Sequence, residues 1–280
     1  MKRRQALEEA CFLLRKQAKE ENLARFLLQY MLEETSLEFN SNMDLELEES
    51  LADRYKELIK KHIVEDTPLS HLVGFEYFYD RKFFVNENVL SPRMETEELV
   101  YKILNDTKNI QNKKLKILDL CTGSGIIAIS LDKELECDKC IVASDISDLA
   151  LEVAKRNADN LKSSVKFIQS DLFENIEDKF DIIVSNPPYI AYSDMKTMEK
   201  NVLDYDPHLA LFADEEGMYF YRKIIEQADK YLEIGGKIYF EIGHDQREKI
   251  IALSERHNYS CQVIKDINGK DRIAILEREN

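Results

Sequence analysis

The chain has 280 residues, 44% of them hydrophobic and 33% charged, with a formal net charge of −15 at pH 7. That composition belongs to a folded globular protein long enough for two cores, and no apolar run approaches the roughly 18–20 residues that cross a bilayer. The acidic balance repels phosphate backbones, so whole-chain charge works against nucleic-acid binding.

At the start, Lys2, Arg3 and Arg4 have no apolar stretch behind them, so no secretory signal is expected. Five scattered cysteines suit reduced thiols in a cytoplasm. The first 67 residues contain neither glycine nor proline. Leu7, Cys11, Leu14 and Ala18 recur at helical spacing, then Leu23, Phe26, Leu27, Tyr30 and Met31, then Leu47, Leu51, Tyr55, Leu58, Ile59 and His62. Three amphipathic helices without a strand signal predict a small all-helical domain over 1–67. Residues 68–90 form a linker, in which 75–85 alternates aromatic and polar residues on both sides of Asp80-Arg81, as a short hairpin does. Ser91-Pro92 opens the third region, 91–280, with a helix over 95–104.

From residue 115 onward strands and helices alternate. Strands are expected over 115–120, 140–143, 165–168, 180–184 and 237–242, with helices beginning at 126 and covering 148–158 and 218–231. Gly235-Gly236 is read as a turn, and two last strands are expected over 262–267 and 272–277. This alternation predicts an α/β, doubly wound and largely parallel sheet.

Two junctions carry chemistry. Asp119-Leu120-Cys121-Thr122-Gly123-Ser124-Gly125 lies between a strand and a helix, where glycines let the backbone turn sharply and approach a ligand. Asp145 ends the next strand, where a carboxylate can accept both ribose hydroxyls of a nucleoside. Alone, this fits a nicotinamide dinucleotide as well as S-adenosylmethionine, although the third glycine of the dinucleotide fingerprint is missing.

The second junction is Asn186-Pro187-Pro188-Tyr189, at the exit of the apolar strand 180–184. The prolines fix φ and remove N–H donors, so the Pro187 carbonyl is held outward beside the Asn186 side chain. Together they offer two acceptors to a planar –NH₂ group, with the Tyr189 ring as a flat surface.

This tetrapeptide resembles the signature of class I methyltransferases that modify planar amino groups. These include DNA and guanine-N2 RNA N-methyltransferases and the HemK/PrmC glutamine methyltransferases. Further segments resemble the last group: Pro68-Leu69-Ser70-His71-Leu72-Val73-Gly74, Ser91-Pro92-Arg93-Met94-Glu95-Thr96-Glu97, and Asp204-Tyr205-Asp206-Pro207 running on to Ala210-Leu211. Phe240-Glu241-Ile242-Gly243 with Gln246, and Asp266 with Gly269-Lys270-Asp271-Arg272, resemble its closing motifs. Cys121 departs from the family's glycine, Met94 from its proline, and Phe212-Ala213-Asp214 from a frequent Asp-Gly-Gly.

The resemblance implies a class I, Rossmann-like methyltransferase sheet with an N-terminal helical domain that grips a substrate protein. It implies S-adenosyl-L-methionine as cofactor, with Cys121, Thr122, Gly123, Ser124 and Gly125 around its methionine part, Asp145 at the ribose, Asp171 and Leu172 at the adenine, and Asn186 alongside. Asn186, Pro187, Pro188 and Tyr189 are expected to bind the substrate amide, with Asn186, Pro187 and Tyr189 catalytic. The expected reaction methylates the N5 amide nitrogen of a glutamine in peptide chain release factors, in the cytoplasm, without a metal, a membrane or direct nucleic-acid binding. Its rivals are methylation of an exocyclic base amine in DNA or RNA, or of a ribosomal-protein glutamine. Cys137-Asp138-Lys139-Cys140 stands without a second ligand pair and predicts no zinc site.

Overall fold

In the computed structural model, which describes residues 1–110, 113–198 and 200–278, one unit comprises Met1–Phe75 together with Lys200–Tyr205. It contains α1 (Arg3–Lys16), α2 (Asn22–Leu32), α3 (Ser36–Ser41), α4 (Glu49–Glu65) and α5 (Leu69–Val73). Its core takes Ala6, Ala10 and Leu14 from α1, Ala24, Leu27 and Leu28 from α2, and Ala52, Tyr55, Leu58 and Ile59 from α4. The α1 stripe is thus centred one position before the expected Leu7 and Cys11, which pack at its edge, while Phe26 stays exposed. Small alanines at the buried positions leave room for neighbouring backbones, so the bulkier side chains move to the flanks.

The short α3 went unanticipated because six residues are too few to show a period. It is set by a capping box: Thr35 Oγ1 accepts the Glu38 N–H at 3.3 Å and Glu38 Oε2 accepts the Thr35 N–H at 2.9 Å. It delivers Phe39 to the core. Pro68 caps α5, which Gly74 closes at φ 78°. Tyr205 ties the later helix to this unit, accepting from the Thr67 hydroxyl at 2.7 Å and donating to the Glu65 carbonyl at 2.9 Å.

The second unit covers Glu76–Met198 and the chain from Asp206 onward. The expected hairpin is β1 (Phe75–Phe78) and β2 (Arg81–Phe84), turned by Tyr79 and Asp80 at φ 50° and 57°. Two left-handed residues match the twist of the flanking strands. There follow α6 (Met94–Thr107), β3 (Leu115–Leu120), α7 (Ile126–Glu134), β4 (Lys139–Asp145), α8 (Asp148–Leu161), β5 (Lys166–Gln169) and β6 (Phe180–Ser185). The chain continues through β7 (Ile190–Ala191), a 3₁₀ segment (Tyr192–Thr197), α9 (Lys200–Tyr205) in the helical unit, α10 (His208–Leu211) and β8 (Phe212–Ala213). It ends with α11 (Tyr219–Ala228), β9 (Leu232–Glu241), α12 (Arg247–Arg256), β10 (Tyr259–Lys265) and β11 (Asp271–Arg278).

Seven strands form one sheet in the order β10-β11-β9-β6-β3-β4-β5. Neighbours from β9 to β5 are parallel, and β11 runs antiparallel to both β9 and β10. The doubly wound, largely parallel architecture is therefore present. Ile117, Ile182 and Ile275 face a core completed by Leu99, Val100 and Ile103 of α6 and by α7. Leu118, Ile183 and Ile238 face the opposite core with Tyr221, Ile224 and Ile225 of α11. Burial on both faces is why these strands read as continuous apolar runs.

Gly235 and Gly236 fall within the range of β9, where Gly235 turns the chain at φ 78° and pairing resumes at Lys237, the expected start of the strand. There the pairing jumps from Phe180↔Leu232 to Ile182↔Lys237, a bulge in which a Cβ on Gly236 would approach the Asp181 carbonyl at 3.1 Å. The two-residue strands β7 and β8 are too short for alternation to be seen, and α12 buries only Ile250 and Ser254, too thin a stripe to show a period. Among the described residues no helix is long and apolar enough to cross a membrane.

Candidate active site

Strand register builds the site. Ser144 of β4, Leu120 of β3, Ser185 of β6 and Phe240 of β9 stand side by side across the sheet. The next residue of each strand, Asp145, Cys121, Asn186 and Glu241, therefore emerges at one edge, the carboxyl edge where doubly wound sheets bind ligands. The Ser185 hydroxyl donates to the Leu120 carbonyl at 2.7 Å and ties the tetrapeptide to the glycine loop.

A cleft opens along this edge. Of the residues singled out in the sequence, Cys121, Thr122, Gly123, Ser124, Asp145, Asp171, Leu172, Asn186 and Pro188 line it. Gly125, Pro187 and Tyr189 are not among its lining residues. Pro187 is buried, and Tyr189 packs against the core around Tyr221 and Phe240. The Tyr189 carbonyl accepts from Gln246 Nε2 at 2.9 Å.

The loop after β3 holds three left-handed residues, Cys121, Gly123 and Gly125, at φ 60°, 54° and 82°. Their requirements differ. A Cβ on Gly125 would lie 2.9 Å from Ile129 Cδ1 and 3.2 Å from Ala154 Cβ, so this glycine serves the packing of α7 on α8. Nothing lies within 4 Å of a Cβ built on Gly123, which leaves its backbone open to a ligand.

Two carboxylates hold the loop. Asp145 Oδ2 accepts the Gly123 N–H at 2.9 Å while Oδ1 accepts the Ser147 N–H at 3.0 Å, and burial raises its pKa. Asp119 Oδ2 accepts from the Thr122 hydroxyl at 2.6 Å and from the Ala128 N–H at 3.2 Å, which satisfies one donor of the first turn of α7. Asp119 is fully buried, its Oδ1 has no hydrogen-bond partner among the described residues, and burial pushes its carboxyl up to about 7. Burial also raises the Cys121 thiol, so that side chain stays protonated.

The charged side chains lining the cleft are Glu87, Asp145, Asp171 and Arg93. Arg93 is itself neutralised by Asp206, at 2.7 Å. The cleft therefore suits a ligand that carries positive charge and no phosphate.

Beside Asn186 the structure adds two residues whose roles the sequence did not disclose. Asn186 Nδ2 donates to Thr96 Oγ1 at 3.4 Å, and the Thr96 hydroxyl donates to Glu241 Oε2 at 2.6 Å. Burial pushes the Glu241 carboxyl up to about 7, opposed by the Thr96 hydrogen bond and by Arg272 and Arg93. Both residues lie in segments already noted for their resemblance, but no local pattern links them to Asn186. Cys137 and Cys140 are free, partly buried thiols.

The PrmC N-terminal domain family matches residues 5–74, and the methyltransferase small domain family matches residues 98–204. The release factor glutamine methyltransferase of Leptospira interrogans is 44% identical over 262 residues, 91% of this chain and 90% of that protein. That of Bacillus cereus is 36% identical over 281 residues, 98% of this chain and 99% of its own length. The chain belongs to the release factor glutamine methyltransferase family. A solved methyltransferase from Pyrococcus furiosus, 20% identical, shares the fold with a TM-score of 0.52 over 82% of this chain and all of that one. Within the family reading, Cys121 is the departure with a visible consequence: it takes a left-handed conformation that costs a side-chain-bearing residue about 1–2 kcal/mol.

Proposed function

We propose that this protein transfers a methyl group from S-adenosylmethionine to the N5 amide nitrogen of a glutamine in peptide chain release factors. The observation that carries the reading is the placement of Asn186 at the end of β6, lining a cleft whose unneutralised charges, among the described residues, are carboxylates. The names of the relatives support the substrate assignment.

The residues present fit the cofactor. Glu87, Asp145 and Asp171 favour a molecule bearing a sulfonium and an ammonium, whereas a pyrophosphate would meet repulsion. Asp145, Asp171, Leu172 and Gly123 all line the cleft; Asp145 would hold the ribose hydroxyls with its remaining lone pairs, Asp171 and Leu172 would flank the adenine, and the open backbone at Gly123 would take the methionine part. When bound, S-adenosylmethionine supplies a methyl group on a positively charged sulfur.

The protein's part is placement. An amide nitrogen is a poor nucleophile because its lone pair is delocalised into the carbonyl. Asn186 Oδ1 accepts one of its hydrogens, orients the lone pair toward the methyl donor and stabilises the positive charge that develops on nitrogen, whereas Pro187, expected to offer the second acceptor, does not line the cleft. Pro187 and Pro188 cannot rotate about φ, so the strand exit that carries Asn186 is held in advance. Tyr189 contributes from behind the cleft wall by anchoring the tetrapeptide in the core. The helical unit holds the release factor.

Incubation with methyl-labelled S-adenosylmethionine and, separately, a release factor, a ribosomal protein or RNA tests the reading. Label mapped by mass spectrometry to one release-factor glutamine is the expected result. Label in RNA or in the ribosomal protein, with none in the release factor, overturns it.

A further inference from the structure

We propose that Thr96 and Glu241 are positioning residues that fix which end of the Asn186 side-chain amide faces the substrate. The inference rests on the function proposed above, in which Asn186 must present an acceptor. The two ends of an asparagine amide have nearly the same shape, yet one accepts and the other donates. Turned by a half rotation, Asn186 would offer its own –NH₂ to the substrate's –NH₂, and the contact would fail.

The neighbours of Asn186 resolve this ambiguity. Glu241 Oε2 accepts the Thr96 hydroxyl proton at 2.6 Å, so the Thr96 oxygen turns lone pairs, not hydrogen, toward Asn186. Only the –NH₂ end of the amide can dock there, and Nδ2 does so at 3.4 Å. Oδ1 is then left for the cleft that Asn186 and Thr96 both line. Thr96 is fully buried and Glu241 is 2% exposed, so water does not compete for these atoms.

Glu241 is fixed in turn. Ser185 pairs with Phe240, which sets Asn186 and Glu241 beside each other at the ends of parallel strands, and Ile273 pairs with Glu241 from the other side. The Tyr221 hydroxyl donates to the Glu241 carbonyl at 2.9 Å. Burial raises the pKa of its carboxyl and so works against the ionised, acceptor state, while the Thr96 hydrogen bond, Arg272 and Arg93 oppose that rise, so the arrangement holds when Glu241 is ionised.

Thr96→Val keeps the shape of the side chain and removes the hydroxyl, while Thr96→Ser restores it. The expected result is a kcat lower by about 10- to 100-fold in Thr96→Val and within about threefold of the parent in Thr96→Ser, with affinity for S-adenosylmethionine unchanged in both. In an Asn186→Ala background, Thr96→Val should cost nothing further, because the residue it orients is gone. Parental kcat in Thr96→Val, an equal loss of cofactor affinity, or a full additional loss in the double variant overturns the proposal. If Thr96→Val does not fold, Glu241→Gln enters the same cycle, since a glutamine amide can donate to Thr96 and release its hydroxyl toward Asn186. A parent enzyme inactive on release factor would defeat the substrate reading alone. The NMR signals of the Asn186 side-chain –NH₂ then decide: they should shift in Thr96→Val and persist in Thr96→Ser, and an unchanged Thr96→Val spectrum overturns the proposal.

Discussion

Gly217 faces the Tyr189 carbonyl so closely that a Cβ built on it would lie 2.1 Å from that oxygen and 2.7 Å from Gln246 Nε2. Gln246 completes the contact, accepting the Gly243 N–H at 2.9 Å and donating to the Tyr189 carbonyl. The exit of the tetrapeptide is thus clamped from a loop and a helix start far along the chain.

Gly217→Ala should therefore displace the tetrapeptide. The residue sits at φ 82°, and the left-handed conformation together with the backbone clash should cost about 2–4 kcal/mol of stability. Urea unfolding reads the loss, and kcat should fall more than cofactor affinity. A variant as stable and active as the parent would show that the clamp is unimportant.

Asn186→Ala removes the amide acceptor while leaving the strand intact. The expected kcat is about 100- to 1,000-fold lower, as for loss of one oriented transition-state donor or acceptor, with cofactor affinity nearly unchanged. Both quantities are to be measured on one preparation. A loss of affinity equal to the loss of rate contradicts the assigned role.

Asp145→Ala addresses the other end of the cleft. It removes the acceptor proposed for the ribose and frees the Gly123 and Ser147 N–H groups. Titration calorimetry should find S-adenosylmethionine bound about 10- to 100-fold more weakly, from hydrogen bonds to a charged acceptor at about 1.5–3 kcal/mol. Unchanged binding would remove Asp145 from the cofactor site.

Asp119→Asn tests the buried carboxyl. Its folded pKa of about 7 lies above the roughly 3.9 of an unfolded aspartate, so the stability it contributes is complete below about pH 4 and is lost as pH rises toward 7. Asparagine has no such proton to release. Relative to the parent, the variant should therefore gain with rising pH, by up to about 1.4 kcal/mol per unit between pH 4 and 7, and level off above. Urea midpoints at pH 4.5, 6 and 8 measure the difference. Parallel curves would mean that Asp119 ionises normally.

Local signals made much of this readable in advance. The hairpin turn at Tyr79 and Asp80, the strand Leu115–Leu120 and the loop through Gly123 and Gly125 are each governed by a few adjacent residues. Reading failed where packing overrides pattern. In α1 the buried stripe runs through alanines rather than the larger Leu7 and Cys11.

The chain order of residues, taken alone, settled the seven strands of the main sheet and most of the longer helices, that strands and helices alternate, and that Asn186 and the glycine loop fall at strand ends, because propensity, periodicity and turn chemistry act over short spans. Only the folded sheet decided that Asn186 and Pro188 face the cleft while Tyr189 turns into the core. It also decided that Asn186 meets Thr96, 90 residues before it, and that Thr96 meets Glu241, 145 residues after. Those meetings depend on the register between parallel strands joined by long crossovers, and no segment of the chain carries that register by itself.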